Sequence, residues 1–161
     1  SFVVGHAGWG SRSVRFRIKY RKHSRCALFG RNDADPVTHY TLLGGQTGLR
    51  DLVERFYRHM ETMSETVGIR AMHPIDLSGS KEKLFMFLSG WLGGPNLYWE
   101  AYGHPRLRMR HLPFTIGRAE SEQWLAAMRR ALDDTPMDAS LRERLFAALT
   151  QTAHHLRNQP D

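Results

Sequence analysis

Along the chain, apolar residues fall into four runs with helical spacing, separated by breaks rich in glycine and proline. Leu49, Leu52, Val53, Phe56, Tyr57 and Met60 recur at intervals of three and four, which places them on one face of a helix. Thr47 is positioned to cap it. Tyr40, Leu42 and Leu43 precede it, followed by the break Gly44-Gly45. Pro74 restricts His73 to an extended backbone, so a turn is expected at Met72-His73-Pro74. The next run extends from about Gly79 to Leu92 with Ser78 as its cap. It presents Ser80, Leu84, Phe87, Leu88 and Trp91 on one face. Ser80 is the single small polar residue there, a place where a gap over a ligand would open. Gly93-Gly94-Pro95 ends this helix. Residues 95–110 read as irregular, with a short helical turn reaching His111 and halted by Pro113. Further helices are expected from about Arg118 to Leu132, burying Trp124, Leu125 and Met128, and from about Asp138 to Arg157, carrying Leu141, Leu145, Phe146 and Leu149. Four substantial helices, without a convincing strand pair or an internal repeat, predict an all-α domain.

Residues 1–36 break this pattern. Val14, Phe16, Ile18 and Tyr20 alternate with Arg15, Arg17, Lys19 and Arg21, the period of a strand with no partner in the sequence. The net charge of +7 is concentrated here, with eight basic residues against two acidic ones; 37–161 holds 15 against 14. The expected organisation is therefore a basic, disordered leader (1–36) ahead of one domain (37–161). Contact with nucleic acid or an anionic membrane through the leader is not favoured, since no nucleic-acid-binding motif accompanies it. The chain opens on Ser1 rather than Met, as a fragment or processed product would. Its longest apolar stretch, Leu84 to Leu88 extended through Trp91-Leu92, falls short of the roughly 20 residues that span a bilayer. No secretory segment follows the N-terminus. The single cysteine, Cys26, rules out an intrachain disulfide framework and fits a reducing compartment. A cytoplasmic location is expected.

Candidate chemistry lies in Gly103-His104-Pro105-Arg106-Leu107-Arg108-Met109-Arg110-His111-Leu112-Pro113-Phe114. His111 ends a short basic turn, is closed off by a proline and precedes an aromatic residue. That arrangement suits an imidazole held from one side of an iron porphyrin. A neutral imidazole fills one axial position and leaves the other for a gas. Its second ring nitrogen is then available to a backbone carbonyl that fixes the ring. Arg110 is the best candidate to pair with a porphyrin carboxylate; Arg106 and Arg108 read as solvated charges. Taken alone, a histidine beside Arg110 would more often be a surface residue. His104, followed directly by Pro105, reads as structural. His73 is better placed to hydrogen-bond than to bind iron. His6, His23, His39, His59, His154 and His155 belong to no motif and read as solvent-facing. Gly44-Gly45-Gln46-Thr47-Gly48-Leu49 is no phosphate loop, because it lacks the Gly-Lys pair.

These blocks occur in a characteristic order: Gly44-Gly45, Arg55-Phe56-Tyr57, His73-Pro74, Leu84 to Gly94-Pro95 through Trp91, the segment 103–114, then Trp124-Leu125. In this order they resemble the truncated, two-over-two globins, and in particular group II. The resemblance covers about residues 38–158. It implies a globin-like two-over-two helical sandwich enclosing haem b (iron protoporphyrin IX), with His111 as the proximal ligand. It implies a distal pocket containing Tyr57, and Trp124 is the mark of group II. Phe56, His73, Ser80 and Leu84 match pocket-lining positions; Phe87, Leu107 and Phe114 complete the expected lining. Histidine is one of several residues that occur at the position of His73, so the distal hydrogen-bond pattern is left open.

The activity expected first is binding of dioxygen, and of NO and CO, at a five-coordinate iron, with Tyr57 and Trp124 donating to the ligand. The alternative is an enzyme that uses the same haem for NO dioxygenation or peroxide reduction. No flavin or nicotinamide motif is present, so turnover would require an external reductase. A third reading, a regulatory protein acting through the leader, lacks a supporting motif.

Overall fold

In a computed structural model the structure describes residues 37–160. The alternating segment at 14–21, Cys26 and the rest of the basic leader lie outside the described residues. Helices α1 (His39–Leu42), α2 (Gly45–Thr62), α3 (Val67–Ala71), α4 (Ser78–Trp91), α5 (Leu97–Tyr102), α6 (Leu107–His111), α7 (Arg118–Asp133) and α8 (Ala139–His155) follow one another, with a 3-10 turn at Ser64–Thr66. Among the described residues there is no strand. None of these helices is long and apolar enough to cross a membrane.

The four long helices form two pairs. α2 packs on α4 and α7 packs on α8, while α2 also crosses α7, so one pair lies over the other. The shared core is the predicted stripe of α2 (Leu49, Leu52, Val53, Phe56, Tyr57, Met60) set against Ala127, Met128, Ala131 and Leu132 of α7 and Leu141, Leu145 and Leu149 of α8. The small Ala127 and Ala131, both fully buried, let the α2 and α7 backbones approach. Asp138 caps α8, its carboxylate accepting from the Ser140 and Leu141 amides at 2.8 and 3.2 Å.

Several local expectations need correction. Thr47 does not cap α2. The helix starts two residues earlier, because Gly44 is left-handed (φ 98°) and serves as its N-cap. Gly48 fits the same corner, where an added Cβ would strike the Leu43 carbonyl oxygen. Ser78 is the first residue of α4 rather than its cap. The Asp76 carboxylate accepts from the Ser78 amide at 2.9 Å and from its hydroxyl at 2.8 Å. The short helical turn expected to reach His111 is α6, but residues 95–110 are not otherwise irregular, since they also contain α5. His59 is not solvent-facing; it is half-buried and meets Asp134 of α7 at 2.7 Å.

α4 shows two apolar faces. Phe85, Leu88 and Ser89 are the residues it buries in the core. Of the face singled out by the sequence, Leu88 is buried with them, while Ser80, Leu84, Phe87 and Trp91 are only half-buried. Those four are the candidates for the wall of a pocket.

Candidate functional site

The distal groups come from three elements. Tyr57 and the residue before it lie near the middle of α2, Trp124 lies in the second turn of α7, and His73 lies in the turn after α3. Their rings are in contact. Phe56 meets Tyr57 edge-on at 4.9 Å and Trp124 at 5.1 Å, and Tyr57 meets His73 edge-on at 5.8 Å. Such contacts hold each ring at a fixed angle. His73 is further fixed by Nδ1, 2.8 Å from the Ile69 carbonyl. The Nδ1–H donates there, which leaves Nε2 as the free nitrogen. Burial pushes the His73 pKa down; the Ile69 bond offsets this in part, and the charges of Arg70 and His111 lower it further. Burial pushes the Tyr57 phenol well above the usual tyrosine range, with a hydrogen bond to Ser80 acting the other way. Ser80 therefore does more than leave a gap: it touches the distal hydroxyl.

His111 is the last residue of α6, a helix with no buried residue. Its Nδ1 is 2.7 Å from the Leu107 carbonyl one turn back. The expected backbone tie is therefore present, and Nε2 remains available as a ligand. Phe114 stands 6.5 Å from the imidazole, and Met109, Leu112 and Phe114 are large exposed apolar residues beside it. The charge of His111 is felt at His73, so the two candidate histidines lie within electrostatic range of each other.

Arg110 crosses the loop ahead of α6. Its Nε donates to Pro105 O at 3.0 Å, Nη2 approaches Tyr102 O at 3.5 Å, and the guanidinium lies over the Tyr98 ring. Its charge also reaches Lys83 of α4, whose pKa is pushed down by burial and then by Arg110. Lys83 is a candidate that the sequence does not single out, because a lysine beside Lys81 and Glu82 looks like part of a solvated face. Arg108 is not simply solvated: it donates to His155 O at 2.9 Å. His104 is structural, its Nδ1 accepting from the Arg106 amide at 3.1 Å. That contact supports Arg106, which is left-handed at φ 43°.

The donor set fits a haem. Among the described residues no cluster of three or more His, Cys, Asp or Glu side chains could hold a metal ion. An iron bound by His111 would need its remaining in-plane ligands from a macrocycle. Leu84, Phe87 and Trp91 supply an apolar wall, and Lys83 with Arg110 supplies positive charge suited to propionates. The larger open cleft, about 480 Å³, lies elsewhere. Arg50, Glu54, Lys81 and Glu82 line it, and they pair with one another. The aromatic and imidazole groups do not converge there.

This helical sandwich, with one imidazole on a short proximal helix and an aromatic distal cluster, defines a globin of the shortened kind. A family model described as Bacterial-like globin matches residues 38–158. Group 2 truncated hemoglobin YjbI from Bacillus subtilis (strain 168) is 39% identical over 117 residues, covering 73% of this chain and 86% of that one. Among solved structures, the group II 2-on-2 hemoglobin from the plant pathogen Agrobacterium tumefaciens gives a TM-score of 0.76 at 45% identity, covering 80% of this chain and 99% of that one. The cold-adapted truncated hemoglobin from the Antarctic marine bacterium Pseudoalteromonas haloplanktis TAC125 gives 0.76 at 41% identity, covering 77% and 100%. The chain belongs to the bacterial-like globins, as a truncated haemoglobin of group II. That family is one of haem-based ligand binders.

Proposed function

We propose that this chain binds haem b through His111 and takes up dioxygen, as well as NO and CO, on the side faced by Tyr57, His73 and Trp124. The observation that carries this reading is the 2.7 Å tie from His111 Nδ1 to the Leu107 carbonyl. It selects the tautomer whose Nε2 lone pair is free for a metal. Haem, when bound, would supply an iron able to take up a diatomic gas. The chain's part is to orient, to donate and to exclude water. Leu107 O orients the proximal ring. Tyr57 Oη–H and Trp124 Nε1–H are donors whose rings are locked by Phe56. The phenol keeps its proton because burial opposes its ionisation. Leu84 and Phe87 make the pocket wall apolar, which strengthens hydrogen bonds inside it. Lys83 and Arg110 are the residues suited to the propionates.

The test is the visible absorption spectrum of the haem-loaded protein, ferric, ferrous and oxygenated, beside His111→Ala. A strong Soret band that depends on His111, together with a stable oxygenated form, is expected. Haem uptake indifferent to His111 would overturn the assignment.

A further inference from the structure

α6 carries the proximal histidine yet contributes nothing to the core: none of its residues is buried. Apolar packing therefore does not fix its position, and polar ties must do so. They come from the end of α8. Asn158 Nδ2 donates to His111 O at 3.1 Å and to Phe114 O at 2.7 Å. Asn158 Oδ1 accepts from the Ile116 amide at 3.0 Å. The Asn158 backbone amide donates to Ile116 O at 2.8 Å, and Gln159 N follows it at 3.2 Å. From the other direction, Arg108 Nη1 of α6 reaches the carbonyl of His155 at 2.9 Å and that of Arg157 at 3.5 Å. One primary amide thus uses both donors and its acceptor on three backbone groups between 111 and 116. An arginine of the proximal helix neutralises the negative end of α8 in return.

We propose that Asn158 and Arg108 form a proximal clasp, through which the end of α8 and the segment that follows it set the position of the His111 imidazole relative to the haem. Both are positioning residues. Asn158 holds the carbonyl of His111 itself, while Leu107 O holds the ring. The imidazole is therefore fixed at its backbone and at Nδ1, and only Nε2 is left to bind. Loss of the Asn158 amide would leave the Phe114 carbonyl and the Ile116 amide without this partner, and the His111 carbonyl with only the Phe114 amide at 3.1 Å. The backbone around His111 would then sample several positions. The inference rests on His111 being the iron ligand.

The test compares the full-length haem-loaded protein with Asn158→Ala and Arg108→Gln. Readouts are the iron–histidine stretching band of the ferrous protein by resonance Raman and the rate of haem loss to an acceptor globin. Far-ultraviolet circular dichroism checks that the helices persist. For Asn158→Ala, which removes three side-chain hydrogen bonds, the band should shift and broaden, and haem loss should accelerate about tenfold or more. Arg108→Gln should change both in the same direction and by less. Should Asn158→Ala fold too poorly to hold haem, Arg108→Gln alone decides: a shifted band supports the clasp and an unshifted one overturns it. Unchanged bands in two well-folded variants also overturn it. A wild-type protein with no iron–histidine band at all would instead sink the haem assignment on which the clasp depends.

Discussion

At the level of single residues, Tyr57 and Trp124 are two donors joined through one ring, Phe56, whose centroid is about equally far from each. A hydrogen bond to a charged acceptor contributes about 1.5–3 kcal/mol. At 1.4 kcal/mol per factor of ten, each donor slows ligand escape about ten- to a hundredfold. Trp124→Phe keeps an aromatic ring against Phe56 and removes only the N–H. Oxygen release, followed by stopped-flow displacement, should quicken by that factor; an unchanged rate would leave Trp124 a packing residue. Tyr57 adds a pH dependence of defined sign. Burial raises its folded-state pKa above the ordinary value of about 10. The neutral phenol therefore contributes stability that is complete below about pH 10 and is lost as pH rises through the folded value. Urea denaturation at pH 9 and pH 11 should show Tyr57→Phe losing less stability over this interval than the wild type. Equal losses would mean that the phenol ionises freely in the folded state.

Among the elements, the corner between α1 and α2 and the cap of α8 make the most specific demands on sequence. Gly48→Ala would place a Cβ against the Leu43 carbonyl. Because the obstacle is backbone, the helix start must shift, at a cost of about 1–3 kcal/mol, readable as a lower urea midpoint with an unchanged slope. Asp138 is fully exposed, and its pKa is lowered by hydrogen bonds from the Leu141 and Ser140 amides. The cap is thus present above the usual aspartate value and is lost as pH falls through the folded one. Asp138→Ala should lower Tm at pH 7, and the gap to wild type should close on acidification. A gap that persists below pH 3 would mean that the carboxylate charge is not what caps α8. These elements also show where sequence is informative. α2, α7 and α8 are each more than four turns long and carry apolar residues at intervals of three and four, so periodicity finds them. α6 is the short helical turn expected to reach His111; α5, with six residues, is less than two turns and carries too few repeats to register. His111, Tyr57 and Trp124 stand out as candidates from residue type and order. Asn158 does not, because its contacts are with groups distant in sequence: it meets carbonyls 47 and 44 residues away. The double character of α4 was half legible. The face picked out by its pattern includes the buried Leu88, but Phe85 and Ser89, which lie off that face, are buried as well.

For the molecule as a whole, charge is unevenly distributed along the chain. Residues 37–161 hold 15 basic and 14 acidic residues, whereas 1–36 holds eight and two. The family match covers residues 38–158, and among the described residues the buried core cluster runs from Leu43 to Leu149. Haem retention and polyanion attraction should therefore separate when the chain is cut after residue 36. A protein of residues 37–161 should take up haem with the Soret position and Tm of the full chain, because the proximal tie, the distal rings and the α8 clasp are all retained. It should also leave a heparin column at lower salt, because attraction to a polyanion grows with the number of cationic groups that displace its counterions. Matching elution of the two proteins would place the polyanion-binding charge within 37–161 despite its near balance. A shifted Soret band or faster haem loss in the shorter protein would have a different meaning: residues 1–36 would then act on the haem pocket itself, and 37–161 would not be a self-sufficient globin.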